Sequence, residues 1–161
     1  MINKPLLRDI QAGKGLGDLK FGMDRDAVKA LLGEPDEKEQ QSYSEDGSDN
    51  SESWHYDSLE LSLSFDEEDD WRLVTIAVTS RSYQLDGLQP IRLTKEQLEE
   101  ELEAIGVTDF VFEDHSTDES PSHELLASDS LAMNFWFDED KCSEVQWGPF
   151  YNEDDSVIWP G

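Results

Sequence analysis

The 161-residue chain has one cysteine, Cys142, only 12 lysines and arginines, and no apolar run of 18 residues. A lone cysteine excludes an internal disulfide and suits a reducing compartment. The scarcity of cations, set against 39 aspartates and glutamates, leaves a formal charge of -27. Phosphate binding needs clustered cations, so duplex nucleic acid is disfavoured as a ligand, and an anionic membrane surface with it. Without a long apolar run no transmembrane helix is expected. Residues 1–9 contain no apolar stretch of signal-peptide length, and the expected location is the cytoplasm.

What is present is a modest apolar fraction, 36%, made effective by 5 Trp, 7 Phe and 4 Tyr. Large aromatics carry enough buried area to build a core, which argues against wholesale disorder. The charge is unevenly spread. Residues 1–40 hold 7 basic and 8 acidic side chains, whereas residues 41–161 hold 5 basic and 31 acidic ones. One reading is solubility or adaptation to a salty habitat. The other is an acidic surface matched to a basic partner protein, with electrostatic steering of their association.

An internal repeat runs through the chain with an offset of 72. Gly15-Leu16 recurs as Gly87-Leu88, and Leu19 and Phe21 as Ile91 and Leu93. The alternating run Leu59, Leu61, Leu63, Phe65 recurs as Leu131, Met133, Phe135, Phe137. Each unit begins with a Gly-rich lead-in and a short amphipathic helix. The first helix is expected from Asp24 as N-cap to Leu32, stopped by Gly33 and Pro35. The second starts at Thr94, with Gln97 completing a capping box, and stops at Gly106. The glutamates 99–103 then form its solvated face. Acidic segments at 38–53 and 114–124 lack apolar periodicity and are expected to be mobile loops, dispensable for folding. Strands follow at 59–65 and 71–80, around an acidic hairpin tip at 66–70, and again at 131–137 and 143–148, with extra short strands at Trp54–Tyr56 and Phe110–Phe112.

The expected fold class is therefore α+β, a single domain over 1–161. Two tandem helix-plus-antiparallel-hairpin repeats, 15–80 and 87–150, would join into one antiparallel sheet with the helices on one face. Residues 151–161 would dock on this body. The segment Gly22-Met23-Asp24-Arg25-Asp26-Ala27-Val28-Lys29-Ala30-Leu31-Leu32-Gly33-Glu34-Pro35 resembles a motif of the BamE/SmpA-like family. Two such units in tandem resemble the β-lactamase-inhibitor-protein (BLIP) fold. The chain departs from the first family in having no lipobox and from the second in having one cysteine. What the resemblance implies is a scaffold that binds other proteins across the open face of its sheet.

Motifs for catalysis are weak. Gly13-x-Gly15-x-Gly17 lacks a preceding strand and the Lys-Ser/Thr of a phosphate-binding loop, and reads as a flexible lead-in. His123-Glu124-Leu125-Leu126-Ala127 misses the second histidine of a zinc-protease helix. The acidic runs lack the order of a calcium loop, and Cys142 has no histidine beside it. No cofactor, metal or catalytic residue is expected. If the odd positions 131–137 face the core, Trp136 faces outward together with Asn134, Glu60 and Ser62. Trp147 joins them when the offset of 72 is continued to Thr75. These five are the candidate partner-binding residues. The functional expectation is a non-enzymatic, acidic protein-binding module, possibly an inhibitor or immunity protein for a basic toxin or nuclease. The alternatives are a small-ligand carrier or enzyme with a site between sheet and helices, or an accessory structural domain.

Overall fold

The computed structural model describes residues 9–42, 50–81, 83–85, 87–114, 116, 118, 123–154 and 156–159. A small antiparallel sheet is made by β1 (Ile10–Gln11), β2 (Gly15–Leu16) and β3 (Leu19–Lys20). Its turns need glycine: Gly13 has φ 70 and Gly15 φ 146, and a side chain at either would strike Phe150 or the Leu19 carbonyl. The Gly13-x-Gly15-x-Gly17 run is thus a packed turn rather than a flexible lead-in.

Both helices start and stop where local chemistry predicts. In α1 (Arg25–Leu32) the Asp24 carboxylate accepts from the Ala27 N–H at 2.8 Å, and Gly33 closes the last turn at φ 84. In α2 (Lys95–Ala104) both halves of the Thr94/Gln97 capping box are made. Such caps satisfy N–H groups that the helix itself leaves open.

Strands dominate the rest. They are β4 (Glu37–Ser42), β5 (Asn50–Tyr56), β6 (Leu61–Asp66), β7 (Arg72–Val78), β8 (Phe110–Asp114), β9 (His123–Ser128), β10 (Met133–Asp138) and β11 (Lys141–Trp147). They form one antiparallel sheet in the order β4-β5-β6-β7-β11-β10-β9-β8. A short pair, β12 (Phe150–Tyr151) and β13 (Val157–Ile158), follows. Trp159 packs partly buried against the core, its indole facing Gly22 and Arg72.

The architecture corrects the expectation of two helix-plus-hairpin repeats with helices on one face. The chain is mostly β, and its organising unit is the eight-stranded sheet. The segments 38–53 and 114–124, expected to be loops, contain β4 and parts of β5, β8 and β9. The remainder of both segments lies largely outside the described residues. An edge strand such as Glu37–Ser42 has solvent on much of its surface and needs no apolar alternation, so pairing with β5 forms it against its local pattern. The cover of the buried sheet face is not a helical layer either. Val28 is the sole fully buried residue of α1, and Leu98 and Leu102 those of α2. Ile10, Leu16, Leu19, Phe21, Tyr83, Leu85, Leu88 and Ile91 supply the rest. Against them pack the inward rows of the sheet, including Trp54, Leu63, Phe65, Ile76, Leu126, Phe135, Val145 and Trp147.

Candidate functional site

Alternation sends every second side chain of the sheet to the face that, among the described residues, no other layer covers. Register defines the rows of this open face. One runs Glu37, His55, Ser62, Ala77, Gln146, Asn134, Ala127, Val111 across all eight strands. Another, in the second half, runs Glu144, Trp136, Leu125, Glu113. Ser62, Asn134 and Trp136 therefore share the open face as expected from the pattern, though Ser62 and Asn134 stand three strands apart, roughly 14 Å. Glu60 precedes β6 with φ 50 and is exposed at the rim of the same face.

Trp147 does not belong with them. It is 1% exposed, on the core face, and its indole N–H donates to the Gly15 carbonyl at 3.1 Å. The offset of 72 holds from Leu61 to Met133 but fails beyond the hairpin tips. Five residues, 67–71, join β6 to β7, whereas Glu139 and Asp140 alone join β10 to β11. The three-residue deficit makes Val78, opposite Leu61, the counterpart of Trp147, opposite Met133. An odd change flips the side of the sheet.

The two halves of the open face differ in relief. In the first half the inner positions are Ser53, His55, Ser62 and Ser64, all small except the imidazole. Beside them lies an open depression of about 390 Å³ lined by Glu37, Glu39, His55, Asp57, Glu60, Ser62, Ala77, Thr79 and Glu144 among others. Its charged lining holds five carboxylates and no lysine or arginine. His55 Nδ1 lies 2.8 Å from Ser62 Oγ, and Nε2 lies 3.7 Å from Glu39 Oε2. This Ser–His–Glu chain is not arranged for acyl transfer. Ser62 sits in mid-strand, where backbone N–H groups serve the ladder, and the surrounding charges are carboxylates. Negative charge therefore stands where an oxyanion would need donors.

In the second half, Leu125 and Trp136 occupy the places that Ser53 and Ser64 hold in the first. The Trp136 ring stacks on His123 at 4.9 Å between centroids and 8° between planes. His123 Nδ1 lies 2.9 Å from Asp138, and Ser143 donates to the other Asp138 oxygen at 2.8 Å. These two bonds, His123 first, hold the Asp138 carboxyl below its ordinary range. Glu144, between Trp136 and the depression, is shifted the other way. Burial raises it most, the Asp138 charge raises it further, and His123 opposes both. The arrangement thus presents a half-buried aromatic platform beside an anionic hollow, suited to apolar and cationic side chains of a partner.

The sequence reading sets aside the His123 motif as a zinc site and does not single out His55. The signal was available for His55, since Trp54 and Tyr56 on either side point to the core. His123 lies on β9, so the helical spacing of a zinc-protease motif does not apply to it. Cys142 is buried at the start of β11, and burial pushes its thiol up to about 12, which leaves it a packing residue.

No protein-family model matches the chain, and no curated protein matches it. Among solved structures it is similar to an extracellular protein containing a SCP domain from Bacillus anthracis str. Ames. The identity is 13% and the TM-score 0.47, over 100% of this chain and 55% of that one. The chain thus spans about half the length of that protein.

Proposed function

We propose that the chain is a non-enzymatic protein-binding module whose open sheet face receives a basic surface of another protein. The observation that carries this reading is the juxtaposition, on one face of the sheet, of the Trp136–His123 platform with a hollow whose charged lining is carboxylate. The net charge of -27 supports it, because a strongly acidic protein accelerates encounters with a basic one. The finer form of the proposal is an inhibitor or immunity protein that neutralises a basic toxin or nuclease in the cytoplasm.

The test begins with a partner captured from the native host and eluted by salt, followed by kinetics on the purified pair. Raising salt should slow association with little change in dissociation. Trp136→Ala should speed dissociation, costing about 2 kcal/mol if the indole is an anchor, while the circular dichroism spectrum stays unchanged. Affinity insensitive both to salt and to Trp136→Ala would overturn the proposal.

A further inference from the structure

His55 is the one imidazole lining the anionic hollow, and its neighbours fix which way its hydrogen bond runs. It stands in the middle of β5, between Trp54 and Tyr56, which point to the core. Its side chain is 29% exposed, so solvent protons reach it. Nδ1 lies 2.8 Å from Ser62 Oγ on the next strand, and Nε2 lies 3.7 Å from Glu39 Oε2. An ionised carboxylate only accepts, so the neutral ring keeps its hydrogen on Nε2, towards Glu39. Nδ1 then carries the lone pair and accepts from the Ser62 hydroxyl. The hydroxyl hydrogen is used within the pair, which leaves the oxygen only acceptor capacity towards the hollow. In the second half of the sheet the same two places are held by Ala127 and Asn134, which carry no such base.

Protonation changes both the charge of this pair and the direction of its bond. An imidazolium donates from both nitrogens. Nδ1–H then donates to Ser62, whose own hydrogen is turned outward. A floor that offered a lone pair now offers a hydrogen and a positive charge. Histidine is the side chain that passes between these states on mild acidification. The groups facing the ring are otherwise acidic. From β4 come Glu37, directly opposite His55, and Glu39, while Lys38 between them turns to the other face, 5.0 Å from the Trp54 ring centroid. Asp57 follows β5, Glu60 precedes β6, and Glu144 reaches the hollow from β11. No lysine or arginine is among the lining residues, so protonated His55 is the only cation the lining can supply.

We propose that His55 is a proton-operated gate on the hollow. With the ring neutral, the hollow takes up a basic side chain of the partner. With the ring protonated, the chain's own cation and the reversed Ser62 hydroxyl exclude it. This inference rests on the reading of the open face as a site for a basic surface, and adds that a complex formed at neutral pH comes apart on mild acidification.

The experiment uses the full chain and the dipeptide acetyl-Arg-Arg-amide as probe. Nitrogen shifts of the imidazole should show the hydrogen of neutral His55 on Nε2. Backbone amide shifts of Ser62, Ala77 and Thr79 then report binding in the hollow at about pH 7.5 and about pH 5.5, either side of the histidine range. The parent should bind at least about tenfold more weakly at the lower pH. In His55→Gln, whose amide can still bond Ser62 but gains no charge, the fall should shrink to about threefold or less. Glu144 and the neighbouring His123 account for what remains. Equal affinity at the two pH values, an undiminished fall in His55→Gln, or a hydrogen on Nδ1 of the neutral ring would overturn the gate and leave the open-face reading standing. Hollow amides that respond to the probe at neither pH would overturn both.

Discussion

The two halves of the sheet make the same ties to their helices and then diverge in what surrounds them. In the first half Met23 accepts from the Leu73 N–H at 2.8 Å, and Arg25, opening α1, reaches Glu52 of β5 at 3.4 Å. In the second half Leu93 accepts from the Cys142 N–H at 2.8 Å, and Lys95, opening α2, reaches Glu124 of β9 at 2.5 Å. Yet the Glu52 side chain is 7% exposed and that of Glu124 27%. Glu52 also accepts from Gln40 and from the Trp54 indole, and its partner Arg25 stacks over Trp71 at 4.6 Å. Trp71 belongs to the longer hairpin tip, which the second half lacks. One scaffold position is therefore a braced interior charge in one half and a partly solvated ion pair in the other. The face divides in the same manner, serines making a hollow on one side and Leu125 with Trp136 filling the other.

The sharpest way to test this division is to truncate the two tryptophans of the second half. Trp147 fills the core and bonds Gly15, so Trp147→Ala should cost about 3–5 kcal/mol by urea unfolding. Trp136, half-buried on the open face, should cost about 1 kcal/mol, the scale of its stacking with His123. Equal losses would erase the distinction between the covered and open faces.

The two carboxylates give the next largest contrast. Glu52→Ala leaves the buried Trp54 indole N–H without its acceptor and takes a partner from the more exposed Gln40 and Arg25, at an expected cost of about 1–3 kcal/mol. Glu124→Ala removes a partly exposed pair and should cost at most about 1 kcal/mol. The pH dependence follows from Glu52 itself. Burial alone would raise it, but the Gln40 and Trp54 donors and the Arg25 charge together leave it below the ordinary carboxylate value. The unfolded chain then binds the proton first as pH falls. This part of the stability is complete above the ordinary value and is lost as pH drops through the folded one. Glu52→Gln should flatten that acid limb.

How far the chain could be read without a structure follows from the same contrast. Helix starts were legible because Asp24, Thr94 and Gln97 act within one turn of their own backbone. The alternations Leu61–Phe65 and Met133–Phe137 were legible because one face is buried throughout. The short strands at Trp54–Tyr56 and Phe110–Phe112 were legible as the cores of β5 and β8, but β4 and β9 were not; in β4 an edge exposed to solvent leaves no apolar period to detect. Within the open-face site, Ser62, Asn134 and Trp136 followed from parity alone. Trp147 did not, because turn length and not composition sets its parity. The partnership of Trp136 with His123 crosses from β10 to β9 and depends on register, which no local pattern encodes.

The hairpin tips offer a smaller test. Glu139 and Asp140 both adopt positive φ, 52 and 65, in a two-residue connection. That geometry favours Asn-Gly, and glutamate in the left-handed region is strained. The double variant Glu139→Asn with Asp140→Gly should stabilise the protein by about 1 kcal/mol in thermal or urea unfolding. The same pair placed at Asp70 and Trp71, also at positive φ, should not stabilise, because it removes the ring over which Arg25 stacks.

The smallest expected effect concerns Glu144, which stands where the first half has Thr75, opposite Trp136 as Thr75 is opposite Ser64. Its folded value is raised, first by burial and then by Asp138. Between the ordinary and the raised value the unfolded chain is already ionised while the folded chain still holds its proton. Stability must therefore fall as pH rises through that window, opposite in sign to the Glu52 limb. Glu144→Gln abolishes the titration and should be more stable than the parent at neutral pH by about 0.5 kcal/mol, a small figure because solvent screens a half-exposed group. Below the ordinary carboxylate range, where Glu144 is protonated in both states, the advantage should vanish. A basic partner seated in the hollow would reverse the preference, since its cation favours ionised Glu144. Partner binding should then weaken in Glu144→Gln even as the free protein gains stability. A variant that lost stability at neutral pH would place Glu144 in a stabilising contact and remove it from the site.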